Sequence, residues 1–276
     1  MSGQTIISAD ISASVSFAMQ QNHVPVVRQI TIENVSEKIL RNVTVHLATD
    51  PEIADEWYAM IDSIMPGSKH VLDKIDLRLA PSKLFDLTER IDGVLTTTVY
   101  GDIDEGNDIN GSGEDVGEGG DVGGSSHRLC AQKKWDLAFL SYDEWTGRNT
   151  FPEFLAAFVT PNHPYIAEII IKAAKILASW NGSMSFNGYQ SKNPNNVKKQ
   201  MAAIYGALQQ ENISYCMPPA GFEKFGQKIR LCGTIKEQKL GTCLDLALLY
   251  AGCLEAVGLH AIVNMTVGHA FPGCWL

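Results

Sequence analysis

Residues 241–271 read GTCLDLALLYAGCLEAVGLHAIVNMTVGHAF, and the second half of the chain is organised around them. Thr242 and Asp245 stand three residues apart, the spacing of a capping box, with Asp in place of the usual Glu or Gln. That spacing makes Thr242 and Asp245 the capping pair of a helix over Cys243–Val257 and puts Cys243 at its first position. The helix is apolar nearly all round, so it is expected to be buried, and Gly258 ends it. Ala261–Val267 and His269–Leu276 then read as two strands joined by a tight turn at Gly268.

The position of Cys243 matters more than its type. A thiol at a helix start faces unpaired backbone N–H groups and the positive end of the helix dipole, both of which favour the nucleophilic thiolate. The same N–H groups can hold the oxyanion that forms when a carbonyl is attacked. Taken alone, a free cysteine is more often a small buried hydrophobe, and that reading is given to Cys253, flanked by Gly252 and Leu254. Cys130, Cys216 and Cys232 show no partner chemistry.

His269 follows 26 residues downstream. Alone, it reads as a strand histidine satisfied by the core. A strand beginning there points His269, Phe271, Gly273 and Trp275 one way and Ala270, Pro272, Cys274 and Leu276 the other, so Cys274 faces away from it. A helix that leads straight into a strand pair packs against that pair, and its N-terminus can meet the second strand. With a helix-start cysteine upstream, pairing of thiolate and imidazolium becomes the better reading.

Upstream the period of the sequence changes. Pro164–Trp180 and Pro194–Gln210 have helical spacing, each with proline at a permitted first-turn position. Before residue 150 the chain reads as strands. Ile7, Ala9, Ile11, Ala13, Val15 and Phe17 alternate with polar residues without a break, and Val26–Asn34, Asn42–Ala48 and Val94–Tyr100 follow. Leu129–Tyr142 is again extended, with Trp135, Leu137 and Phe139 on one face. These elements predict two domains: an all-β, immunoglobulin-like antiparallel sandwich over 1–147 and an α+β domain over 148–276.

Charge is concentrated between the last two strands. The formal net charge is -9, yet residues 102–126 hold eight acids (Asp102, Asp104, Glu105, Asp108, Glu114, Asp115, Glu118 and Asp121) and no Lys or Arg. Removing them from the 31 acids leaves 23 against 22 basic residues. The remainder is nearly neutral, so no basic field gathers nucleic acid or anionic membrane. The tract, 102–127 with its flanks, reads as a disordered insertion in a hairpin. Asp108, Asn110, Ser112 and Gly113 approach a calcium loop, but its twelfth position, which needs a bidentate Glu, is Gly119. A zinc site from Cys243, Cys253, His260, His269 and Cys274 lacks any closely spaced cysteine pair. No phosphate-binding GxxxxGK[ST] motif occurs, so neither cofactor nor metal is expected. No signal sequence or long apolar run is visible, and six scattered cysteines suit a reducing cytoplasm.

Gly241-Thr242-Cys243-Leu244-Asp245, then Leu254 to Ala261, then Gly268-His269-Ala270-Phe271 resemble the transglutaminase-like superfamily, whose papain-like core carries a Cys–His–Asp triad. The lead-in segments Gln200–Tyr205 and Gly226–Leu231, with Tyr142–Trp145 and Val159–Pro164, extend the likeness. It becomes a resemblance to the N-terminal part of large bacterial helicase-related proteins, covering most of 25–276. It implies Cys243 as nucleophile, His269 as base, a protein or peptide amide as substrate, and helicase and nuclease-like regions of the same polypeptide as partners. Gln238, a few residues upstream of the cysteine, is the candidate oxyanion donor by likeness to papain-like enzymes. The family's aspartate lies on the strand after the histidine strand, past Leu276, so the chain is expected to be the front of a longer protein and by itself inactive. Asp245 does not replace that aspartate; it caps the helix. The competing expectation is a catalytically silent module that positions a helicase or recognises a partner.

Overall fold

The computed structural model describes residues 5–103 and 127–276. The acidic stretch from 104 to 126, with the Asp108–Gly119 calcium-loop reading, lies outside the described residues. The chain divides into two compact units, one ending at Tyr142 and one beginning at Asp143.

In the first unit β1 (Thr5–Ile11), β2 (Ser14–Val15), α1 (Phe17–Gln21), β3 (Val27–Asn34), β4 (Leu40–Asp50), β5 (Trp57–Ile64), β6 (Lys69–Leu72), α2 (Pro81–Phe85), β7 (Ile91–Ile103) and β8 (Arg128–Phe139) follow in order. They form a three-stranded sheet, β1-β3-β6, and a five-stranded sheet, β2-β8-β7-β4-β5. Period-two patterning shows in the burial: Val43, Val45 and Leu47 of β4 are inside, as are Ile30 and Ile32 of β3. Asn34, itself buried, donates from Nδ2 to the carbonyls of Lys38 and Ile64 (2.8 Å each) and so ties the end of β3 to the end of β5.

Two features of this unit depart from the sequence reading. The unbroken strand expected from Ile7 to Phe17 is two strands in different sheets followed by a helix. Ser12 is buried, its N–H donates to the Val26 carbonyl (2.8 Å) and its hydroxyl to the Ser14 carbonyl (2.8 Å). Ser16 then accepts from the Met19 N–H (3.2 Å) as the N-cap of α1. Serine hydroxyls here divert backbone groups from the ladder. Nor is the pairing wholly antiparallel, because β2 runs parallel to β8. The acidic stretch does join paired strands: β7 and β8 are antiparallel neighbours, with Gly101 opposite Arg128. Asp102, counted with the tract, belongs to β7 and accepts from Asn42 Nδ2 (2.8 Å).

The second unit contains β9 (Glu144–Trp145), a 3-10 turn (Pro152–Phe158), α3 (Pro164–Asn181), α4 (Pro194–Gln209), β10 (Ser214–Tyr215), α5 (Phe222–Phe225), β11 (Gln227–Lys228), α6 (Cys232–Gln238), β12 (Leu240–Gly241), α7 (Cys243–Ala256), β13 (Ala261–Thr266) and β14 (His269–Cys274). The division falls ahead of residue 148 because β9 pairs antiparallel with β11, which fastens Glu144 and Trp145 to the second unit. His163 Nδ1 accepts from the Tyr165 N–H (3.2 Å) and Asn193 from the Asn195 N–H (3.0 Å), so both proline-led helices are capped. The core is made by α3, α4 and α7, with Ile166, Ile169, Ala203, Ile204, Leu249, Cys253 and Leu254 in one cluster. No helix among the described residues is long and apolar enough to cross a membrane.

Candidate functional site

The start of α7 is built from three directions. Within the helix, the Asp245 N–H donates to Thr242 Oγ1 (3.3 Å) and the Thr242 N–H to Asp245 Oδ2 (2.9 Å), a closed capping box. From β11, Gln227 Nε2 donates to Thr242 Oγ1 (3.0 Å) and Asp245 Oδ1 (3.4 Å). From the segment after β11, Arg230 gives Asp245 both its backbone N–H (2.9 Å) and Nη1 (3.3 Å). Asp245 is fully buried, which is tolerable because every donor around it is aimed at its carboxylate. Asp245 therefore fastens the helix start and is not open to substrate.

Cys243 sits at the first position of α7 and is 5% exposed. Among the described residues, no acceptor is bonded to the N–H groups of Cys243 or Leu244, the groups that an oxyanion would take. β10 runs parallel to β12 with Tyr215 opposite Gly241, which brings the Tyr215 phenol against the Cys243 thiol. Desolvation first, then the nearby Cys243, raises Tyr215 above the ordinary phenol range. Tyr215 carried no sequence signal, since nothing in the pattern pairs two-residue strands whose partners are 26 positions apart in the chain.

The hairpin places the other expected residues. β13 and β14 pair from Thr266 opposite His269 to Ala261 opposite Cys274. Ala270 joins Cys243, Leu244, Ala247 and Leu248 in one buried cluster, with Val263 and Met265 packed on it, so α7 covers the Ala270 face. His269 stands on the opposite face, exposed, with its ring 6.3 Å from that of Phe271. Among the described residues no side chain is hydrogen-bonded to its ring. The structure thus brings the histidine strand to the cysteine helix but does not join imidazole to thiol.

Gln238, the expected oxyanion donor, has no hydrogen bond to the start of α7 among the described residues. It ends α6 with its side chain exposed, and the glutamine that reaches the helix start is Gln227. The signal was available only in space, because Gln227 lies 15 residues from Thr242. The cysteine–histidine set considered for zinc does not gather: Cys253 is fully buried in the helical core, while His260 stacks on Tyr189 at 5.3 Å. Burial drives the Cys253 thiol far above its ordinary pKa and raises that of Cys232. Among the described residues no group of three or more His, Cys, Asp or Glu is placed to hold a metal ion.

No protein-family model matches the chain, and no curated protein matches it.

Proposed function

We propose that residues 143–276 form a transglutaminase-like, papain-like domain suited to thiol-dependent acyl chemistry on amide bonds, behind an immunoglobulin-like sandwich. The reading includes its setting: the N-terminal region of a helicase-related cytoplasmic bacterial protein, which is what the sequence resemblance implies. The observation that carries the chemistry is Cys243 at the first position of a long, capped, buried helix, with N–H groups beside it that no acceptor takes among the described residues, and the histidine strand packed on the same helix.

The chemistry follows from those parts. The Cys243 thiolate adds to the amide carbonyl carbon, and the developing oxyanion takes the N–H groups at the helix start. The carbon–nitrogen bond then breaks, and the departing amine takes its proton from the imidazolium of His269. Water, losing its proton to the same imidazole, attacks the thioester and releases a carboxylic acid and the thiol. An amine in place of water gives a new amide. His269 has to turn round the end of the hairpin to act, since its ring stands on the face away from α7.

That placement favours the second reading, a catalytically silent interaction module. The two are separated by iodoacetamide labelling of the full chain across pH, read by peptide mass spectrometry. Cys243 is expected to label at least about tenfold faster than Cys253. Equal, slow labelling of both thiols rejects the nucleophile and leaves the module.

A further inference from the structure

Beside the start of α7 the second unit has a cavity of about 500 Å³. Met217, Pro218 and Pro219 are its apolar lining, Gln227, Lys228 and Arg230 its polar lining, and Thr242, the residue before Cys243, borders it. Met217 is 79% exposed, and its flexible thioether is suited to covering an incoming hydrocarbon stem.

Arg230 is the unusual member. Its Nη1 is held by Asp245 Oδ2 at 3.3 Å, and its own backbone N–H bonds the same carboxylate. Asp245 also accepts from Thr242 and Gln227, so its charge is shared among internal donors, and it has no surface open to the cavity. Among the described residues, Nε and Nη2 of Arg230 have no protein partner, and a third of its side chain is exposed. A guanidinium immobilised at one nitrogen, with donors left over beside a cavity, is pre-organised for a carboxylate. The positive end of α7 adds a field of the same sign.

We propose that this cavity receives the carboxylate of an aspartate or glutamate side chain next to the amide that reacts at Cys243, so that the substrate is an acidic peptide segment. Arg230 takes the carboxylate, Lys228 contributes charge at the cavity wall, and Met217 with the two prolines covers the methylene stem. The proposal rests on Cys243 being the nucleophile.

The test uses the full chain and three chloroacetamide peptides that differ only in the residue beside the reactive group: Glu, Gln or Lys. Cys243 alkylation is followed by mass spectrometry beside an iodoacetamide control. The Glu peptide is expected to label about tenfold faster than the Gln peptide and faster still than the Lys peptide. Raising the salt should shrink that preference. Arg230→Gln should bring it to within about twofold, as should Lys228→Glu, a wall substitution that leaves the buried Asp245 network intact. Equal rates for the Glu and Gln peptides, with iodoacetamide still labelling Cys243, overturn the acidic subsite and leave the nucleophile standing. Labelling by neither reagent overturns both.

Discussion

Asp245 and Glu211 are both buried carboxylates, and they differ in how visible they were beforehand. The partner of Asp245 in the capping box is three residues away, so local spacing revealed it. Glu211 takes hydrogen bonds from Tyr165, Lys172 and Lys239, which are scattered along the chain and invisible to any periodicity. The same limit hid Gln227, whose partners Thr242 and Asp245 lie 15 and 18 residues away. For Glu211, burial pushes the carboxyl up, but the bonds from Lys172, Lys239 and Tyr165 outweigh it and hold its pKa below the ordinary 4.5. A depressed folded pKa contributes stability above the unfolded value and loses it as pH falls through the folded one. Acid titration of stability in the second unit should therefore steepen below about pH 4.5. Glu211→Gln should cost about 2 kcal/mol at neutral pH and flatten that slope, as denaturant unfolding at several pH values would read.

At the scale of elements, α7 was legible because its cap, its apolar faces and its terminator are contiguous in sequence. Val257 closes the helix and Gly258 adopts φ +75°, the left-handed conformation that a glycine supplies after a helix. The pair β9 and β11 was not legible, since two-residue strands carry no period. Its existence depends on Gly226, whose φ of +85° and ψ of −177° suit glycine alone, and where a side chain would run into the Trp145 carbonyl. Gly226→Ala is expected to destabilise the second unit by about 3 kcal/mol or more in urea unfolding; a loss under about 1 kcal/mol would mean that the backbone there relaxes freely. The strand expected from Ile7 to Phe17 failed for the opposite reason. Its alternation is real, but hydroxyls of Ser12 and Ser16 bind backbone groups and end the strand.

For the whole molecule, two compact units meet in sequence at Tyr142 and Asp143. Each has its own core, so residues 1–142 and 143–276 made separately should each unfold in a single cooperative transition, followed by circular dichroism. A fragment without such a transition would show that the unit depends on the rest of the chain. The sequence by itself determined the helix at 243–256, its capping pair, the hairpin after it and the strand pair around the acidic stretch, because each is encoded by neighbours a few residues apart. Tertiary structure alone decided which glutamine meets the helix start, that Tyr215 pairs opposite Gly241 beside that start, and that His269 stands on the outer face of its hairpin. Those outcomes depend on which surfaces pack together, and packing joins residues whose separation in the chain carries no signal.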